Sequence, residues 1–245
     1  MSSVQAPVLK TGAAESALVY PWKSSPYSSH SALLRLFPGE GRDRSVLDIG
    51  CGNGYLARAL AARGFRVTGI ELPGGRRPDF PASVDLMERD LDQGLPRFFE
   101  QFDYVICADI LEHLRQPAHL LQELRSVLRP GAQIIASLPN SGNIYFRWQV
   151  AWGFFPQHDH GLFDRTHLHF YTWRGWQELF REAGFQIRSI EPTSVPFERA
   201  FQDGRSPVAL RAAEWISYRL AWLWKTLFAY QFVVTAVPYD DPASG

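Results

Sequence analysis

The sequence predicts an α/β protein built around a mostly parallel sheet. Three observations carry that prediction. Apolar runs of strand length alternate with stretches of helical periodicity through the first 140 residues. A glycine-rich turn joins the first such run directly to a helical stretch. An acidic residue, Glu71, closes the next run.

Residues 1–27 are rich in Ser, Ala and Pro and read as a poorly ordered lead-in. A short helix fits 29–37, stopped by Pro38-Gly39. The run 45–49 is a short buried strand ending at Gly50. Residues 55–63 form a helix with Leu56, Ala59 and Leu60 on one face, closed by Gly64. A second strand, 65–70, ends at Glu71, and 83–89 and 102–108 supply a third and a fourth. A helix over 117–128 starts at Pro117 and is followed by Pro130-Gly131. The fifth strand, 133–138, is broken by Pro139-Asn140. From 140 to 170 the chain is aromatic, His-rich and too irregular for one strand or helix. A helix over 173–184, a strand over 185–190, a Trp-rich helix over 207–229 and a strand over 231–237 complete the order. The expected organisation is one domain over 28–240, with insertions at 141–170 and 193–229.

Composition narrows the function classes. A chain of 245 residues with 46% hydrophobic residues suits a single enzyme-sized domain with a sizeable core. The formal charge is zero, which argues against an extended nucleic-acid track. Two cysteines, Cys51 and Cys107, make no disulfide framework and suit a reducing compartment. The first 19 residues lack a charged segment followed by an apolar one, and no apolar run reaches membrane-spanning length. The expected location is cytoplasmic, with peripheral contact to the inner membrane as a variant of it.

In an open parallel sheet the ligand crevice lies at the carboxyl ends of the strands. That rule points at 50–55, Glu71, Asp90 and 108–113. Glycines at 50, 52 and 54 let the backbone turn sharply and let a ligand approach it. Glu71, an ionised carboxylate, offers two acceptor oxygens for the two hydroxyls of a ribose. A dinucleotide site shares that acid, but its Gly-x-Gly-x-x-Gly pattern would place glycine where this chain has Tyr55. Asp48, just before the turn, suits a cationic aminoacyl ligand better than a pyrophosphate.

The segment Val46-Leu47-Asp48-Ile49-Gly50-Cys51-Gly52-Asn53-Gly54-Tyr55-Leu56 resembles motif I of class I S-adenosylmethionine-dependent methyltransferases. The resemblance runs over about 28–190. It implies a Rossmann-like seven-strand sheet, mostly parallel with an antiparallel last strand, and S-adenosyl-L-methionine as cofactor. It places Asp48, Gly50, Cys51, Gly52, Asn53, Gly54, Tyr55 and Glu71 around that cofactor. Glu88-Arg89-Asp90-Leu91 resembles the segment whose acid meets the adenine amino group, which adds Asp90 and Leu91. The segment 102–114 resembles the fourth motif, which sets Ala108 and Asp109 near the methyl group, and Leu128-Arg129-Pro130-Gly131-Ala132 resembles the turn before strand five. His30 resembles a position that closes over the methionine end; a helix cap or a surface residue is the alternative reading.

Acceptor specificity lies outside this core. Tyr145, Arg147, His160, Arg165, His167 and His169 read as a lid over a polar acceptor, or else as a loop packed by its own aromatics. The run from Asp90 to Phe170 resembles methyltransferases of cell-envelope saccharides and MetW-type proteins, and more distantly ubiquinone-pathway O-methyltransferases. These resemblances imply O-methylation of a small polar acceptor, with a sugar hydroxyl of a saccharide or glycoconjugate favoured. The alternatives are a non-catalytic cofactor-binding partner of the MetW type and an RNA ribose or quinone-pathway methyltransferase; the neutral charge makes nucleic acid an unfavoured partner. His113 is the expected general base, oriented by Glu112 or another acid. A helix starting near Asp109 would aim Asp109, Glu112 and His113 the same way. That pattern resembles the Glu-x-x-Glu-His of quinone-pathway and small-RNA methyltransferases, although Asp109 is one methylene shorter at its first position, and it implies a divalent metal on Asp109, Glu112, His113 and His167 as an alternative to the favoured metal-free base. The remaining reading is that Glu112 and His113 cap and pack a helix.

In the 207–229 helix, Val208, Ala212, Ile216, Leu220, Leu223 and Leu227 recur at helical spacing. Trp215, Trp222 and Trp224 widen the apolar surface, and Arg211, Arg219 and Lys225 suit lipid headgroups. Packing on its own domain or on a second subunit as a homodimer is favoured over peripheral membrane contact.

Overall fold

The computed structural model describes residues 22–23, 25–75, 78–197 and 208–239. Its strands are β1 (Ser45–Ile49), β2 (Arg66–Glu71), β3 (Asp85–Glu88), β4 (Phe102–Ala108), β5 (Leu128–Pro139), β6 (Phe185–Pro192) and β7 (Gln231–Pro238). Its helices are α1 (Ser29–Arg35), α2 (Tyr55–Ala61), α3 (Pro117–Val127), α4 (Ile144–Ala151), α5 (Trp173–Glu182), α6 (Val208–Leu223) and α7 (Lys225–Phe228). All seven strands join one sheet in the order β3-β2-β1-β4-β5-β7-β6. Pairings from β3 through to β5 are parallel, and β7 runs antiparallel to both of its neighbours.

Both faces of the sheet are covered, so its central strands are mostly apolar rather than regularly alternating, with Asp48 of β1 and Asp103 of β4 as exceptions. The two-residue period still sorts them. Val46, Ile106, Ile135 and Val233 point into the layer formed with α1 and α2, among Leu33, Leu56 and Leu60. Leu47, Ile49, Val105, Ile134 and Val234 point into the opposite layer, among Leu120, Leu124, Trp176 and Phe180. Trp176 is fully buried and its indole N–H donates to the Pro139 carbonyl at 2.8 Å, so its one polar atom enters the core satisfied.

Strand order reverses between β1 and β4: the chain winds outward to β2 and β3, then returns to β4 and moves out the other way. A crevice opens at such a switch point, at the carboxyl ends of the two strands. Here those ends carry Gly50 and Asp109.

Four local expectations are corrected. Within the stretch read as irregular, 144–151 forms α4, N-capped by the Asn143 side chain, which accepts from the Tyr145 N–H. Phe146 is its only buried residue, so it has no apolar stripe for periodicity to detect. β5 begins at Leu128 rather than 133, because the chain continues as strand through a register shift opposite 102–104. No α-helix begins near Asp109. That residue has φ 51°, and Leu111–His113 form a single 3-10 turn. The helix expected over 207–229 is two: Trp224, at φ −144° and ψ 83°, breaks it into α6 and α7. Most of the lead-in expected to be poorly ordered, 1–21 and 24, and residues 198–207 of the second insertion lie outside the described residues. Among the described residues no helix is long and apolar enough to cross a membrane.

Candidate active site

The turn after β1 is built by backbone conformation. Gly50 and Gly52 have φ of 67° and 53°, a region L side chains rarely adopt. A Cβ on Gly50 would also lie 2.7 Å from Ile110, whereas one on Gly52 would meet nothing within 4 Å. Gly50 is therefore fixed by packing, and Gly52 lines open space. Gly54, at φ 70°, precedes α2 and is approached closely by Phe80 and Pro81.

Glu71 arrives from the end of β2. Its Oε2 accepts from the Gly52 N–H at 2.6 Å and its Oε1 from the Leu72 N–H at 3.0 Å. Asp48 lies one strand over and is 2% exposed. Burial, with the Glu71 charge adding to it, pushes the Asp48 carboxyl up to about 7. Cys51 is packed against Gly69, and burial raises its thiol, with the Asp48 charge adding to the shift. Asn53 and Tyr55 are half-buried beside this turn, with the Asn53 amide 3.5 Å from the Tyr55 hydroxyl. Asp90 caps the 3-10 turn Leu91–Gln93 by accepting from the Asp92 N–H at 3.0 Å, and Leu91 is buried.

One wall comes from the chain before α1. Trp22 stacks on His30, with ring centroids 4.8 Å apart, and meets Tyr55 edge-on at 6.1 Å. His30 Nδ1 accepts from the Lys23 backbone N–H at 3.1 Å. The Lys23 ammonium is nearly buried and donates to Asp109 Oδ2 at 2.7 Å, to Ser29 Oγ at 2.8 Å and to Gln231 Oε1 at 3.3 Å. Asp109 also accepts from Ser137 at 2.5 Å and from the Gln231 amide at 2.8 Å. Burial alone would raise the Asp109 carboxyl; Lys23 and Ser137 overcome it and bring the value down to about 2. Sequence reasoning missed Trp22 and Lys23, because an aromatic and a lysine inside a Ser- and Pro-rich stretch carry no periodic signal.

The other wall is a cluster of titratable groups. Glu112 is fully buried, and among the described residues neither of its carboxylate oxygens has a hydrogen-bond partner. Burial, reinforced by the Asp109 charge, raises its carboxyl well above the ordinary value. His113 and His167 sit edge to face at 4.8 Å, and His167 Nε2 lies 3.9 Å from Glu112 Oε1. Ligand-type atoms of Glu112, His113 and His167 fall within 4.8 Å of one another. Burial lowers both imidazoles, His167 to about 4 with the neighbouring His113 contributing.

His113 Nδ1 lies 3.2 Å from the Thr166 carbonyl and 3.0 Å from the Thr166 hydroxyl. That hydroxyl lies 2.6 Å from Asp164, which is 2% exposed. A carbonyl only accepts, so the proton of neutral His113 sits on Nδ1, while the Thr166 hydroxyl donates its own proton to Asp164. Nε2 is left with the lone pair. Thr166 was not singled out as a site residue by sequence reasoning; no fixed spacing links it to His113, 53 positions away.

The candidate residues thus divide. Asp109, Glu112, His113, Asp164 and His167 line one cavity together with Lys23 and Gln231. Of the metal candidates, Glu112, His113 and His167 converge, while Asp109 is held by Lys23. Of the lid candidates only His167 lines that cavity. Tyr145 and Arg147 are exposed on α4, and Arg165 pairs with Asp159 at the surface. His169 stacks on Tyr171 at 5.4 Å, and His160 is half-buried in the loop.

Residues 23–190 match the family model described as a methyltransferase domain. The ubiquinone biosynthesis O-methyltransferase of Stutzerimonas stutzeri (strain A1501) is 36% identical over 106 residues, covering 40% of this chain and 45% of that one. The enzyme of the same name from Aeromonas salmonicida (strain A449) is 32% identical, covering 40% of this chain and 44% of that one. This chain thus spans under half the length of the curated relatives it matches. An S-adenosylmethionine-dependent methyltransferase from Mesorhizobium loti superposes with a TM-score of 0.57 at 18% identity, covering 84% of this chain and 95% of that one. The Synechocystis magnesium protoporphyrin IX methyltransferase, solved with S-adenosylhomocysteine, gives 0.53 at 19%, covering 85% and 80%. These structures share the fold. With the glycine turn, the acid at the end of β2, the sheet order and a family match over most of its length, the chain belongs to the methyltransferase domain family, in the class I S-adenosylmethionine-dependent group.

Proposed function

We propose that this protein transfers a methyl group from S-adenosylmethionine to an acceptor hydroxyl placed against His113. The observation that carries this reading is the lone pair on His113 Nε2, held in place through Thr166 and Asp164 at the carboxyl end of β4. Relatives that are O-methyltransferases over the matched 40% of the chain support it.

The residues present fit the cofactor. Gly52 faces open space, and the Glu71 carboxylate stands beside it with acceptor capacity for a ribose diol. Asp48, Gly50, Cys51, Asn53, Gly54 and Tyr55 would shape the same end, Asp90 and Leu91 the adenine side, and His30, Ala108 and Asp109 the methionine side. S-adenosylmethionine supplies a methyl group already activated on a sulfonium. The chain therefore has to align an oxygen, exclude water and remove one proton. Burial keeps His113 neutral and able to take that proton. The Lys23–Asp109 pair puts fixed charge beside the acceptor without offering a competing base.

The orphaned oxygens of Glu112 favour a second reading. Glu112, His113 and His167 form a carboxylate-and-imidazole donor set that fits a borderline divalent ion, which would lower the pKa of an acceptor hydroxyl.

The relatives' names put quinone-type hydroxyls beside the saccharide hydroxyl favoured on sequence as acceptors to test. Incubation with labelled S-adenosylmethionine and two acceptor pools, an envelope saccharide fraction and a lipid extract, assigns the class. Absence of base-labile-resistant ether label in both pools refutes O-methylation. Exhaustive chelation separates the two catalytic readings: full activity in chelator is expected if His113 acts alone, and loss restored by zinc, manganese or magnesium establishes the ion.

A further inference from the structure

We propose that α4 and α6–α7 form a face that docks on an anionic lipid surface. α6 is a 16-residue helix that packs by one side only. Glu214 and Ala221, seven positions apart, are its buried residues, with Ser217 between them half-buried. The rest of its circumference is largely exposed, with large apolar side chains among it: Trp215 is 52% exposed, Trp222 45% and Leu223 81%. The next exposed tryptophan, Trp224, leads into α7.

α4 continues this surface. Buried Asn143, its N-cap, donates to the carbonyls of Phe228 and Ala229 at 3.4 and 2.9 Å, and Asn140 donates to that of Thr226 at 3.2 Å. The two helical units are thereby fastened end to end. Beyond the joint, Trp148 and Trp152 stand 62% and 64% exposed, one helical turn apart.

Charge selects the occupant. Arg147, Arg211 and Arg219 are exposed on α4 and α6, and Lys225 follows on α7. The only acid on the three helices, Glu214, is buried on the inward side of α6. The chain as a whole is neutral, so this basic excess is local. Arg219 lies over the Trp215 ring at 5.9 Å and Lys225 over the Trp222 ring at 4.7 Å. Each pair sets an indole beside a cation, a composition suited to the headgroup layer, where the ring meets acyl chains and the cation meets phosphate. A symmetric contact with a second copy would instead set this basic face against an identical one, with no acid on either to meet the cations. Glu214 also lines the candidate active site, so the lipid-facing helix and the acceptor cavity share a wall.

The test is flotation of the full chain with phosphatidylglycerol–phosphatidylcholine vesicles and with phosphatidylcholine alone. Flotation with the anionic vesicles only, weakening as salt rises, is expected. Arg219→Glu with Lys225→Glu should lower partitioning at least about tenfold, and Trp215→Ser with Trp222→Ser should also reduce it. Unchanged S-adenosylhomocysteine affinity in each variant reports an intact fold. The proposal is overturned by failure to float, by equal flotation of the charge-reversed chain, or by a dimer in sedimentation that Trp215→Ser dissolves while the vesicles bind nothing.

Discussion

The proposed cofactor end of the crevice and its proposed acceptor end are built in different ways. At the cofactor end, specificity rests on backbone: glycines with positive φ and an acid whose oxygens meet main-chain N–H groups. At the acceptor end it rests on side chains from distant parts of the chain. There Lys23 reaches Asp109 and Gln231, and Asp164 and Thr166 orient His113. A backbone-built site needs residue types at fixed spacing, whereas a side-chain site needs only that the fold bring the groups together.

The largest effect that would test this contrast is at His113. His113→Ala should lower kcat by roughly 10²–10⁴-fold while leaving S-adenosylhomocysteine affinity unchanged in calorimetry. Full turnover in that variant would remove the base from the acceptor end. In the unmodified protein the base must be neutral. Since burial lowers the His113 pKa below its usual 6.5, kcat should rise with pH through a midpoint below 6.5 and then stay level. A midpoint above that value contradicts the assignment.

Glu71→Ala should do the reverse. It removes a charge-assisted hydrogen bond of roughly 1.5–3 kcal/mol, so donor affinity falls by roughly 10- to 150-fold. With donor saturating, kcat should hold. An unaltered dissociation constant in a folded variant would take Glu71 out of the cofactor end.

A smaller change is expected at Thr166. Valine cannot accept from His113 or donate to Asp164, but the backbone carbonyl remains, so kcat should fall by about fivefold, the worth of one neutral hydrogen bond. Loss as large as that of His113→Ala would show that Thr166 does more than position the ring.

The smallest effect concerns stability. The Asp48 carboxyl is raised in the folded chain from 3.8 to about 7, so folding takes up a proton there. That stabilisation is complete below pH 3.8 and is lost as pH rises towards 7. Asp48→Asn should therefore gain in Tm relative to the unmodified protein between pH 4 and 7. A constant difference across that window would mean that Asp48 stays ionised when buried.

The sequence by itself carried the parallel part of the sheet and the proposed cofactor end. Alternating apolar and helical segments imply a parallel sheet, the antiparallel last strand came from the family resemblance, and Gly50, Gly52, Gly54 and Glu71 lie within 22 residues at spacings imposed by a strand, a turn and a helix. Ser45–Ile49 and Phe102–Ala108 have the limits read from the sequence, because strands buried on both faces show as short, mostly apolar runs. At the acceptor end the sequence named Asp109, Glu112, His113 and His167, and only the tertiary structure brought Lys23, Gln231 and Thr166 to them. Lys23 and Asp109 lie 86 positions apart, and Gln231 and Asp109 lie 122 apart, distances at which no local period operates. The same holds for α4 and for the outer stripe of α6. Their exposed tryptophans look like core residues in sequence, because hydrophobicity says that a side chain avoids water and leaves open whether protein or lipid covers it.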